Sequence, residues 1–184
     1  MSYCDYVNNL TPGQEQPNKT YHDQHYGYPI SDDNELFERL VLEINQAGLR
    51  WTLILKKQQN FRAAYAQFDI ATVAAYSEED KVRLLNDAGI VRNRLKVNAA
   101  IHNAQQILLL QQQYGSFKNW LDHHHPRALA DWVKLFKKQF KFVGGEIVNE
   151  FLMSTGYLPG AHQTDCPIYA KVLASEPAWL KSTS

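Results

Sequence analysis

Apolar residues in this chain recur at three- and four-residue intervals, and that spacing commits it to helices before anything else is considered. After Ser31-Asp32-Asp33, three good helix starters, Leu36, Phe37, Leu40, Val41 and Ile44 fall on one face with Glu35, Glu38 and Arg39 between them. This is the 3.6-residue period of an amphipathic helix, ending near Gly48. Residues 53–68 read as one or two short helices, and Ser77-Glu78-Glu79-Asp80 caps another that runs to about Asn86 before Asp87-Ala88-Gly89 breaks it. The longest helix is predicted from Arg92 to Tyr114, with Gly115 as its stop. Two more follow, Leu129 to Phe136 and Glu146 to Thr155, joined by the tight connection Phe140 to Gly145. Trp120-Leu121-Asp122 and His123-His124-His125-Pro126 read as a turn with solvated imidazoles. Pro12, Gly13 and Pro17 mark 8–20 as a loop, and 167–184 reads as a loosely attached tail. With no period-2 run and no internal repeat, the expected class is all-α, in a single domain over 1–184.

A chain of 184 residues that is 45% hydrophobic can bury one substantial core. Its net charge of zero excludes the global basic field of many nucleic-acid binders, although Lys and Arg cluster at Lys56-Lys57, Arg92 to Lys96 and Lys134 to Lys141. The ordinary reading of such clusters is a solvated helix face. Met1 to Tyr6 lacks the charged start and apolar run of a signal peptide, and no apolar stretch approaches the ~18 residues of a membrane span. A soluble cytoplasmic protein without membrane contact is therefore expected.

Two cysteines cannot build a disulfide framework, so their positions matter more than their number. Three residues separate His162 from Cys166, a separation common to paired ligands of one zinc ion, and Cys4 and His22 near the other end could complete a Cys₂His₂ set. Two buried core cysteines with accidental histidine neighbours would look the same in the sequence.

Three segments resemble the 3-methyladenine DNA glycosylase I family, in the family's order. Tyr21-His22-Asp23 with Tyr26-Gly27-Tyr28-Pro29 is similar to that family's Tyr-His-Asp-x-x-Trp-Gly-x-Pro. Leu42-Glu43-Ile44-Asn45-Gln46-Ala47-Gly48-Leu49-Arg50-Trp51 is similar to Leu-Glu-Gly-x-Gln-Ala-Gly-Leu-Ser-Trp. Phe140-Lys141-Phe142-Val143-Gly144, with Gly156-Tyr157-Leu158 and His162 beyond it, resembles the Lys-Phe-Val-Gly hairpin and C-terminal ligand His. Cys4, Ala88 to Arg92 and Cys166 also fall in place, so the resemblance spans 4–166.

The resemblance implies a helix-hairpin-helix DNA glycosylase fold whose ends are joined by one structural zinc on Cys4, His22, His162 and Cys166. It implies hydrolysis of the N-glycosidic bond of 3-methyladenine in double-stranded DNA by a monomer that flips the base out. N3 alkylation makes adenine cationic and a good leaving group, so the site needs a π-rich slot and a group that reads the base's edge more than strong acid catalysis. Tyr21 and Trp51 would wall the slot, and Glu43 would accept from the base's amino group and favour positive charge. A carboxylate between Val41, Leu42 and Ile44 calls for such a partner. Lys141, Gly144 and Gly145 would meet a DNA phosphate at the hairpin. No Lys stands in an evident nucleophile position, which implies a monofunctional enzyme.

Asn18 stands where the family has a pocket Tyr, Ile44 replaces a Gly after the pocket Glu, and Arg50 replaces a Ser. The loop between Cys4 and His22 is longer than usual. The superfamily's common catalytic Asp has no counterpart in Tyr157 to Ala161, as in the glycosylase I family itself. Ile44 is expected to narrow the pocket. A divergent member that binds damaged DNA, or reads another modified base, with weak or no catalysis is the alternative these changes leave open.

Overall fold

In the computed structural model, residues 1–13 and 16–181 are described, and among them every regular element is a helix. In order these are α1 (Tyr3–Asn8), α2 (Gln16–Gln24), α3 (Asp33–Gln46), α4 (Trp51–Lys56), α5 (Gln58–Ala64), α6 (Ile70–Ala74), α7 (Glu78–Asn86), α8 (Arg94–Tyr114), α9 (Phe117–His124), α10 (Leu129–Gln139), α11 (Gly145–Ser154) and α12 (Tyr169–Ala174). Short 3-10 turns lie at Ala66–Phe68 and Ala178–Lys181.

The starts follow local chemistry. Asp32 caps α3 by accepting from the Glu35 N–H, Ser77 and Asp80 form a reciprocal capping box on α7, and Asn93 accepts from the Lys96 N–H at the head of α8. Tertiary contact sets the rest. The Asp33 carboxylate in the first turn of α3 accepts from the Phe117 and Lys118 N–H groups at 2.8 and 3.0 Å, tying α9 to α3. Val97, Ala100, Ile101, Ala104 and Ile107 on α8 are buried in a core that also takes Leu36, Phe37 and Leu40 of α3, Trp132 and Phe136 of α10, and Phe151 of α11. Lys96, within a cluster read as solvated, is buried instead, and its Nζ donates to the Asn45 and Ala47 carbonyls at 2.9 and 2.7 Å. It thereby neutralises the C-terminal end of α3.

Three local expectations change. The loop expected over 8–20 is shorter, because α1 runs to Asn8 and α2 starts at Gln16, with Pro17 in its tolerant first turn; residues 14 and 15 lie outside the described residues. The turn expected at Trp120 is α9, capped by Ser116, with Trp120 and Leu121 buried. The tail read as loose over 167–184 is held: Ile168 and Val172 are buried in a cluster with Cys4 and Cys166, and the Trp179 N–H donates to the Gly156 carbonyl at 3.1 Å. Residues 182–184 lie outside the described residues.

Candidate active site and metal centre

The first and last parts of the chain meet at four buried ligand groups. Cys4 on α1, His22 on α2, and His162 and Cys166 beyond α11 place their ligand atoms within 4.8 Å of one another. Cys4 Sγ lies 3.4 Å from His22 Nε2 and 3.6 Å from His162 Nδ1, and Cys166 Sγ lies 3.7 Å from each of the same nitrogens. Sulfur and nitrogen held tetrahedrally at about 2.3 and about 2.0 Å from one ion stand roughly 3.5 Å apart. The four groups therefore fit a tetrahedral metal. The free ring nitrogens are engaged as ligand histidines require: His22 Nδ1 lies 2.7 Å from an Asp23 carboxylate oxygen, and His162 Nε2 lies 2.7 Å from the Tyr26 carbonyl. Burial pushes the His162 imidazole below its ordinary pKa, towards the neutral form that ligates, and pushes the Cys4 thiol up to about 11. Such a thiol needs a cation to become a thiolate.

Beside this centre lies a cavity of about 690 Å³, bounded by α1, α2, α3, α4 and α11. Tyr21, Glu43, Trp51, Gly144 and Gly145 all line it. Five of the residues singled out in the sequence thus converge from three separate segments. The Tyr21 and Trp51 rings stand 5.0 Å apart at 62°. The Arg39 guanidinium lies 4.9 Å over the Tyr21 ring and donates to the Ser154 carbonyl at 3.1 Å, which fixes that wall. The Tyr21 hydroxyl and Trp51 Nε1 are buried without a hydrogen-bond partner among the described residues. Orphaned polar atoms on a cavity wall mark where a ligand would satisfy them.

Glu43 is 5% exposed, as its apolar flanks in the sequence suggest. Burial raises its pKa to about 8, the nearby Glu150 carboxylate adds to the rise, and Arg39 opposes it. The pocket acid is largely protonated at neutral pH until something cationic arrives.

The connection between α10 and α11 forms one edge of the cavity. Asn103, fully buried on α8, grips it by donating to the Lys141 carbonyl at 3.1 Å and accepting from the Lys141 N–H at 2.8 Å. The left-handed residue of this turn is Phe142, at φ 60°, whereas Gly144 has φ −75°. No protein atom lies within 4 Å of a Cβ built on Gly144 or Gly145. Internal packing thus leaves both positions free for a side chain, and the space around them opens outward. Lys141 is exposed on this edge and is not part of the cavity wall.

The departures noted in the sequence fall differently from expectation. Ile44 is 1% exposed in the hydrophobic core and does not line the cavity, so it does not narrow it. Arg50 is exposed at the N-cap of α4, outside the wall. Asn18 is buried and bridges two elements: it accepts from the Tyr3 hydroxyl at 3.1 Å and donates to Thr52 Oγ1 at 2.8 Å. Tyr3 itself lines the cavity and meets the Tyr26 ring edge-on at 5.3 Å. An aromatic from α1 therefore stands in the pocket where α2 offers none at position 18.

Among the wall residues that sequence reasoning missed are Tyr3, Tyr26 and Glu150. Tyr26 sits inside a quoted motif. Glu150, an acid between Val148, Phe151 and Leu152, carries the same local signal that drew attention to Glu43. Nothing local marks Tyr3.

The sequence profile of the methyladenine glycosylase family matches residues 12–133. DNA-3-methyladenine glycosylase 1 of Escherichia coli is 38% identical over 170 residues, covering 81% of this chain and 89% of that protein. DNA-3-methyladenine glycosylase of Haemophilus influenzae is 31% identical over 168 residues, covering 80% and 89%. The chain belongs to the methyladenine glycosylase family. Among solved structures, a variant of 3-methyladenine DNA glycosylase I in complex with 3-methyladenine superposes with a TM-score of 0.80 at 31% identity, covering 91% of this chain and 97% of that one. The 3-methyladenine DNA glycosylase I of Staphylococcus aureus gives 0.76 at 32% identity, with 84% and 92% covered.

Proposed function

We propose that this protein is a monofunctional DNA glycosylase of base-excision repair that hydrolyses the N-glycosidic bond of 3-methyladenine in alkylated duplex DNA. The observation that carries this reading is the convergence of Tyr21, Trp51 and Glu43 on one cavity whose edge is the open Gly144-Gly145 turn. An extruded base packs against the wall made by the Tyr21 and Trp51 rings, which favour a cation over a neutral base. A positive charge beside Glu43 draws its raised pKa back down, so the carboxylate forms where the base's amino group needs an acceptor. A neutral base exerts no such pull and leaves the acid protonated. Selection is by charge as much as by shape.

In this reading α10, the 140–144 connection and α11 act as a helix-hairpin-helix. Backbone N–H groups at the start of α11 face a phosphate, Gly144 and Gly145 allow its close approach, and Lys141 adds charge. The four-ligand centre holds one structural zinc, joining the two ends of a single domain over 1–184; its chemistry is to fix α1 and α2, which carry Tyr3 and Tyr21, against the cavity. No described helix is long and apolar enough to cross a membrane; a cytoplasmic monomer acting on DNA is the accompanying proposal. Release of free base from alkylated duplex DNA tests the reading, with 3-methyladenine, 3-methylguanine and 7-methylguanine in competition. Release of 3-methyladenine is expected. Binding to such DNA without turnover, by folded protein in excess, favours the non-catalytic alternative.

A further inference from the structure

Besides Glu43, the cavity wall carries Glu146, exposed in the first turn of α11, and Glu150, which the proposed base recognition does not use. Glu150 lies on α11, half-buried, and lines the same wall system as Glu43 on α3. Among the described residues its one hydrogen-bond partner is the Tyr26 hydroxyl, which donates to Oε2 at 3.3 Å. Among the described residues no cationic side chain forms an ion pair with Glu43 or Glu150: Arg39 is spent on the Tyr21 ring and the Ser154 carbonyl. A carboxylate held by a single phenol at the edge of a π-lined cavity has its other oxygen available.

Position along α11 suggests what that oxygen meets. The helix begins at Gly145 on the cavity edge, where the glycosylase reading seats a phosphate. Glu150 stands five residues on, about 7.5 Å further along the helix axis. A nucleotide with its phosphate at Gly144-Gly145 and its base against Glu43 places its sugar between the two, alongside Glu150. The two acids also differ in environment. Glu43 is the more deeply buried and is raised to about 8, partly by the charge on Glu150; burial raises Glu150 as well, but the Tyr26 hydroxyl opposes that rise. Of the two, Glu150 is the less buried and the one whose carboxylate already has a hydrogen-bond donor.

Resting on the glycosylase reading, we propose that Glu150 is a catalytic residue whose carboxylate takes the proton of the water that attacks C1′ of the extruded nucleotide. The C1′–N9 bond breaks, and its electron pair neutralises the cationic base. The oxocarbenium ion left on the sugar faces the Glu150 anion, which stabilises it. Water oxygen bonds to C1′, its proton passes to Glu150, and the products are neutral 3-methyladenine and an abasic sugar. Glu150 then returns the proton to solvent.

Single-turnover release of 3-methyladenine from alkylated duplex DNA, measured beside calorimetric affinity for free 3-methyladenine, tests this on the full chain. Glu150→Gln, which preserves shape, is expected to slow release by about 10²-fold while base affinity changes far less than the rate. Glu150→Ala is expected to be equally slow and to regain rate on addition of formate, a carboxylate small enough to enter the vacated space. Wild-type release by Glu150→Gln overturns the inference, and so does a loss of base affinity matching the loss of rate, which would make Glu150 a base-reading group. Failure of the wild-type protein to release any base removes the glycosylase reading itself, and the inference with it.

Discussion

The Tyr3 hydroxyl donates to Oδ1 of Asn18 at 3.1 Å, and this contact ties an aromatic side chain of α1 to the helix that carries Tyr21 and His22. Asn18 in turn donates to Thr52, so one buried amide joins α1, α2 and α4 behind the cavity. What reads in the sequence as a lost pocket aromatic is an exchange of position: the ring comes from residue 3, and residue 18 holds it.

Breaking that exchange should impair the pocket more than the fold. Tyr3→Phe removes the hydroxyl shared between the Asn18 carbonyl and Oδ1, worth about 1 kcal/mol. Asn18→Ala removes the amide that accepts from Tyr3 and donates to Thr52, leaving Tyr3 the backbone carbonyl of residue 18, and is expected to cost about 1–3 kcal/mol. In both variants the affinity for free 3-methyladenine should fall further than the melting temperature would suggest. Calorimetry and thermal denaturation on the same preparations make the comparison.

Glu43 is expected to cost stability in exchange for recognition. Its folded pKa of about 8 lies above the ordinary carboxylate value of 4.5, so the native state binds the proton more tightly than the unfolded chain does. Stability attributable to this group is fully present below pH 4.5 and is lost as pH rises to about 8. Glu43→Gln should therefore melt higher than wild type at pH 8.5, with the difference shrinking towards pH 5. The same variant should lose most of its affinity for 3-methyladenine. Equal melting curves across that pH range would refute the burial argument.

The turn glycines separate stability from DNA contact. Nothing lies within 4 Å of a Cβ added at Gly145, and its backbone is helical, so Gly145→Ala should leave stability unchanged or raise it by up to about 1 kcal/mol. Duplex DNA affinity should nevertheless fall, because the methyl group enters the space a phosphate needs. Lys141→Ala should lower affinity for every sequence alike and reduce the salt slope by about one unit. Binding isotherms at several salt concentrations test both.

A zinc ion on Cys4, His22, His162 and Cys166 would close a loop that spans most of the chain, a cross-link worth up to about 5 kcal/mol through denatured-state entropy. Protein purified without chelator should carry one equivalent of zinc. Cys4→Ser or stripping of the metal should lower the melting temperature and, by freeing α1 and α2, weaken binding of 3-methyladenine as well. A zinc content well below half an equivalent, with Cys4→Ser as stable as wild type, would remove the metal.

Helix identity was legible from the sequence because a 3.6-residue period and capping side chains are local properties: α3, α7 and α8 begin at Asp32, Ser77 and Asn93 as their short polar side chains dictate. The four ligand residues and Tyr21, Glu43 and Trp51 were legible as types in motifs, and the buried state of Glu43 followed from its apolar neighbours. Which side chains share a cavity was decided only by the tertiary structure. Ile44, adjacent to the pocket acid, turns into the core because successive helical residues point about 100° apart, while Tyr3, far earlier in the chain and in no motif, reaches the cavity wall through the packing of α1 on α2. Glu150 shares its wall with Glu43 because α11 packs against α3, a contact that no local pattern encodes.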